Sequence, residues 1–260
     1  MAAAEADKWE ALGQLPPLQR ESTGVTAVLE AQDVFPAFGG VLCLVFKGFP
    51  RPVERLKEEL DACGPAALGG AWVQENMGSK WAKVTLAAVR DEVPPASIDA
   101  EAVAPKLRDI CESFRSELRQ IRIPIHTLSA VRFTTRDLAT RLDVRKVPLP
   151  EGAGGASELS DKTTAITSEV LDDFFVPERT VPYCATHLVQ RRTSASRYLE
   201  TVDPPMHTLV AYLADSPDQE AVAALHAVLA KFRAAVAELL GADTVQWFDP
   251  EFLHCTVRAL

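Results

Sequence analysis

No apolar run in this sequence approaches the roughly 20 residues that span a bilayer, so no membrane-spanning segment is expected. The acidic opening Met1-Ala2-Ala3-Ala4-Glu5-Ala6-Asp7-Lys8 lacks both the apolar core of a secretory signal and the arginines of a transit peptide. A basic excess is missing too. Thirty-six acidic against 27 basic residues give a net charge of −9, which argues against coating long DNA. A small nucleotide or an RNA end stays open as partner, because a local site can be positive on an acidic protein.

Cysteine is sparse, with five scattered residues (Cys43, Cys63, Cys111, Cys184, Cys255), no Cys-x-x-Cys and no Cys/His zinc spacing. Neither a disulfide framework nor a structural metal is expected. Reduced, buried thiols fit a cytoplasmic protein, with nucleus or organelle left open. No Gly-x-Gly-x-x-Gly follows a strand-like run, and no Gly-x-x-x-x-Gly-Lys-Ser/Thr occurs, so Rossmann and P-loop phosphate cradles are excluded. Gly78-Ser79-Lys80 leads into a strand-like run instead of a helix.

What is present reads as alternating strands and helices. Residues 1–39 form a polar, Pro-containing lead-in with a short helix near 8–12, and residues 40–260 form the domain proper. Residues 40–49 are an apolar run closed by Gly and Pro, a buried strand. An amphipathic helix follows at 53–63, with Gly64-Pro65 as its stop. A strand at 80–89 is introduced by the turn-like Asn76-Met77-Gly78-Ser79. A helix at about 99–119 and a strand at 121–135 complete the first part. Residues 148–204 are rich in Gly, Ser and Thr and read as a long, partly disordered insertion. The apolar Phe174, Phe175 and Tyr198 leave open that parts of it pack on the core. A strand at 206–213, a helix opening at Ser216-Pro217-Asp218 and closing at Gly241, and a final strand end the series. Interleaved strands and helices imply an α/β or α+β layer arrangement.

Two strands carry the chemistry. In Trp247-Phe248-Asp249-Pro250-Glu251-Phe252-Leu253-His254-Cys255-Thr256-Val257, residues two apart share a face, so His254 and Thr256 project together. An imidazole beside a hydroxyl suits holding and protonating a phosphoryl oxygen. Trp81-Ala82-Lys83-Val84-Thr85-Leu86 has the same form, with Lys83 in the histidine position.

These motifs, in this element order, resemble the 2H phosphoesterase superfamily (LigT and cyclic-phosphodiesterase-like proteins), with Lys83 replacing the first motif's histidine. Asp249-Pro250-Glu251-Phe252 is similar to the Asp-Pro-x-Phe lead-in of the branch that trims spliceosomal RNA ends and of related AKAP-type domains. The resemblance covers most of 40–148 and 204–260. It implies a bilobal α+β fold, two sheet-and-helix lobes around a central cleft. It also implies cofactor- and metal-independent hydrolysis of a 2′,3′-cyclic phosphate or RNA terminus. His254 would be the base, Lys83 the acid or phosphate clamp, and Thr85 and Thr256 would orient phosphoryl oxygens. Because lysine is a cation at neutral pH, half of the acid–base pair survives. The alternative is an inactive pseudoenzyme binding a nucleotide or a protein partner.

Each residue also has a plainer role. His254 could be a structural histidine, Lys83 could mark a solvent face, and threonines are ordinary strand formers. Trp81 and Trp247 flank the motifs and could stack a base or pack in the core. His126 and His207 lack the facing hydroxyl and read as structural, although His126 is the best replacement for the missing imidazole if its strand borders the cleft. His187 and His226 read as structural or solvated. The basic cluster Arg191–Arg197 reads most simply as a solvated loop, and its Arg-Arg-x-Ser spelling also fits a basophilic-kinase target.

Overall fold

A computed structural model describes residues 2–21, 24–73, 80–151, 155, 157–190 and 194–260. The chain is a mixed α+β protein built on one curled, antiparallel half-barrel sheet. Nine strands are present among the described residues: β1 (Ala27–Ala37), β2 (Val41–Phe46), β3 (Lys83–Val89), β4 (Arg122–Ile125), β5 (Thr127–Phe133), β6 (Arg141–Pro148), β7 (Met206–Tyr212), β8 (Val245–Trp247) and β9 (His254–Ala259). Their order across the sheet is β4-β1-β2-β3-β9-β7-β5-β6, with β8 pairing off the path with β3.

Four strands from the first half of the chain thus meet four from the second at the β3–β9 seam. The halves repeat one pattern. In the first, β2 leads through helix α2 (Arg51–Leu68) to its antiparallel neighbour β3. In the second, β7 leads through α7 (Gln219–Leu240) to its antiparallel neighbour β9.

Several expected boundaries moved, each for a physical reason. Residues 1–39 are not a lead-in outside the domain. They hold helix α1 (Ala2–Gly13) and the eleven-residue β1, which pairs with both β2 and β4. Polar Glu30 and Asp33 mask β1 in the sequence; Asp33 is buried and is held by Arg115 Nε at 2.6 Å, from helix α3 (Ala100–Leu118). Helix α2 runs through Gly64-Pro65 to Leu68. Gly64 serves packing there: a Cβ would meet the Trp72 ring at 2.4 Å. The strand expected at 121–135 divides at His126 into β4 and β5, which pair with β1 and β7 on opposite sides of the sheet.

Residues 148–204 contain α4 (Asp161–Phe175), α5 (Pro177–Cys184), a π-helical turn at Ala185–Val189 and the short α6 (Ser196–Leu199). Phe174, Tyr183, Cys184 and Leu188 are buried in the main core, and Phe174 lies 6.1 Å from Phe35 of β1, ring to ring. These described residues are folded structure: a few apolar anchors spaced along helices offset the ordering entropy that average composition alone would not. The turn expected at 76–79 and the Arg191–Thr193 part of the basic cluster lie outside the described residues. Helix α7 ends at Gly241, where φ is +91° and glycine is the residue that bears it. At its start the cap is Asp218, which accepts from Ala221 N, while Ser216 Oγ donates to the Pro124 carbonyl.

Candidate active site

Strands β3 and β9 open with the same burial pattern, alternating half-exposed and buried residues. Val84 and Cys255 are direct partners across the seam, and both side chains are buried in the core. The alternate residues Lys83, Thr85, His254 and Thr256 all line one cavity of about 700 Å³ on the other face. Continuing the antiparallel register sets Lys83 opposite Thr256 and Thr85 opposite His254. Directly opposed residues have Cβ atoms about 5 Å apart and diagonal ones lie at roughly 7 Å. Lys83 and His254 therefore stand on one diagonal and Thr85 and Thr256 on the other.

The ring of His254 is fixed by its Nδ1, 2.8 Å from the Phe252 carbonyl. A carbonyl only accepts, so Nδ1 carries the proton and Nε2 is left with its lone pair in the neutral ring. Burial lowers the pKa of His254; the hydrogen bond to Phe252 and the Asp137 carboxylate oppose that shift. Tyr212, its partner on β7, meets the imidazole edge-on at 5.9 Å between centroids. Lys83 Nζ lies 5.0 Å from the centre of the Trp81 ring, a cation–π contact that steers the ammonium. Trp81 itself lines the cavity and is almost wholly buried.

Trp247 is not at the cavity. Its ring meets Phe232 of α7 edge-on at 6.0 Å and lies under the Arg233 guanidinium at 5.7 Å. Successive residues on extended chain face opposite sides, and the next residue, Phe248, is the one that lines the cavity. Nor does His126 replace the missing imidazole: it is exposed beside Thr26 Oγ1 at 3.2 Å, outside the cavity lining.

Two histidines without a facing hydroxyl do reach the cavity. His207 is buried, stacked on Trp9 at 5.7 Å, and burial lowers its pKa to about 4. His187 sits between the rings of Phe38 and Tyr183, with centroids at 4.6 and 4.5 Å. Part of the remaining wall comes from segments with no motif: Arg136 and Asp137 after β5, and Thr186, His187, Gln190, Arg197 and Tyr198 from within 148–204. Only the isolated aromatics there hinted at it.

Arg258, four residues after His254, is fully buried without touching the cavity. It ion-pairs with Asp61 at 2.5 Å, donates to the Val73 carbonyl at 2.8 Å and stacks on Trp72 at 4.3 Å. It ties β9 to α2, beneath the catalytic candidates.

Among the described residues no group of three or more His, Cys, Asp or Glu is arranged to hold a metal ion, and no helix is long and apolar enough to cross a membrane. No family model, no curated protein and no solved structure matches the chain significantly.

Proposed function

We propose that this protein is a metal-independent phosphodiesterase of the 2H type, acting on a 2′,3′-cyclic phosphate or an RNA terminus. On this reading the two halves that meet at the β3–β9 seam are the two lobes of the fold. The observation that carries it is the convergence of Lys83, Thr85, His254 and Thr256 on one cavity from directly paired strands. A cationic lining supports it further: Lys80, Lys83, Arg136 and Arg197 outnumber Asp137 there, on a chain of net charge −9. Such a local positive site draws in an anionic substrate.

The chemistry follows from the protonation states. Neutral His254 takes a proton from water at Nε2, and the water oxygen attacks phosphorus. The bond from phosphorus to one ribose oxygen breaks, and the Lys83 ammonium protonates that oxygen. Thr85 and Thr256 donate hydroxyl hydrogen bonds to the non-bridging oxygens as charge develops on them. The product is a phosphomonoester, and solvent returns the proton from His254 to Lys83.

Purified protein should open 2′,3′-cyclic nucleotides at an unchanged rate in excess chelator. His254→Ala and Lys83→Ala should each cut kcat by about 10²–10⁴-fold, and the double variant should lose little more, because the two act as a unit. Absence of turnover in a folded wild type that still binds the nucleotide favours the pseudoenzyme reading. The contact of Lys83 with Trp81 is the observation on that side, since it stabilises a fixed cation whether or not a proton is transferred.

A further inference from the structure

The cavity holds two cations that the seam chemistry does not use. Arg136 lies in the turn after β5, and Arg197 in α6, some sixty residues later; both line the cavity. One backbone hydrogen bond brings them together. Asp137 N donates to Tyr198 O at 3.2 Å, joining the residues that directly follow the two arginines. Val202 N donates to Thr134 O at 2.7 Å and fastens the same two segments a second time. Arg136 is half-buried and Arg197 exposed, and among the described residues neither has a side-chain hydrogen bond or an ion pair. Asp137, the acidic residue on this lining, instead accepts from Ala139 N at 3.1 Å. The cost of pairing like charges is visible in Arg136, whose pKa is lowered by burial and then by Arg197.

Two arginines that line one cavity from segments joined by backbone hydrogen bonds call for an anion that bridges them. The motif residues already provide for one phosphoryl group, so this is a second anion position. Aromatic side chains border both positions: Phe38, Trp81, Tyr198, Phe248 and Phe252 line the same cavity, and Phe38 is 51% exposed. Tyr198 and Phe248 lie 5.2 Å apart, ring to ring. Phosphates alternating with stacking surfaces are the requirement of a single strand.

We propose that Arg136 and Arg197 form a subsite for the phosphodiester next to the reacting one. The ligand is then an RNA end of at least two nucleotides, not a free mononucleotide. This rests on the proposed function for the position of the first phosphate, not for the subsite itself.

The test uses three probes on the full chain: a fluorescent trinucleotide ending in a 2′,3′-cyclic phosphate, the same trinucleotide with an uncharged methylphosphonate at the adjacent linkage, and a mononucleoside 2′,3′-cyclic phosphate. The charged trinucleotide should bind at least about tenfold tighter than either other probe. Arg136→Gln and Arg197→Gln should each erase most of that advantage, weaken the mononucleotide far less, and reduce the salt dependence of trinucleotide binding by about 0.7 per charge removed. Arg197 is exposed, so its variant folds even if that of Arg136 does not. Equal binding of all three probes by wild type would overturn the subsite. So would variants that weaken the mononucleotide as much as the trinucleotide, or an oligoglutamate peptide that competes as well as RNA and so indicates a protein partner. Trinucleotide binding that depends on both arginines, without turnover, would defeat the proposed chemistry and leave the subsite standing.

Discussion

The proton at His254 Nδ1, held by the Phe252 carbonyl, decides what the ring can do: the other nitrogen is free to accept. Burial keeps the ring neutral below its ordinary range, while Asp137 pulls the other way. The acid limb of kcat/KM should therefore fall below pH 6.5, and Asp137→Asn should move it lower still, because losing the carboxylate disfavours the imidazolium. A limb that moves upward in that variant, in a pH–rate profile, would contradict the assignment of His254 as base. His207 answers to pH through stability instead. Its folded pKa, about 4, lies below that of the unfolded chain, so the unfolded state binds more protons between the two values. Stability is then complete above about pH 6.5 and is lost as pH falls towards 4, by about 3 kcal/mol at the lower end. Urea melts from pH 7 to pH 4 should show that slope, and His207→Phe should flatten it.

Among the elements, α4 and α5 are the ones whose composition misleads. Gly, Ser and Thr surround them, yet Phe174 is fully buried, with Tyr183 at 5.7 Å and Phe35 at 6.1 Å. Phe174→Ala should cost about 3–5 kcal/mol, read as a shift in the urea midpoint, and that is a large share of a typical domain's stability. Deleting residues 151–196 should abolish soluble expression, because it bares Phe35 and removes one wall of the cavity. A deleted chain that folds and melts like the parent would show this segment to be a dispensable loop. Helix α2 teaches the converse. Gly64-Pro65 is a strong stop by local rules, and the helix passes it because Trp72 packs onto the bare glycine and Arg258 stacks on Trp72.

At the scale of the molecule, the decisive feature is the seam. Antiparallel halves that each end in a motif strand bring Lys83 and His254, 171 positions apart in sequence, onto neighbouring strands. The surplus of acid lies elsewhere on the chain, so the cavity is a cationic spot on an anionic body. On the proposed function, that arrangement would repel long polyanions overall while admitting the end of one.

Periodicity and local chemistry determined a good deal by themselves. The period of two in β3 and β9 assigned Lys83, Thr85, His254 and Thr256 to shared faces, because alternation in a strand is a local property. The same holds for β2, α3, β7 and the glycine that ends α7, all of which formed within a few residues of where their patterns end. Only the tertiary structure decided that the two faces share one cavity, since strand pairing at the seam depends on contacts far apart in sequence. It also decided the inclusion of β1, whose polar Asp33 is tolerated through Arg115 on a distant helix. Trp247 went to α7 and Phe248 to the cavity by a single step along the chain. The segments that carry Arg136 and Arg197 hold no motif and meet through two backbone hydrogen bonds, and long-range pairing of that kind leaves no local pattern to read.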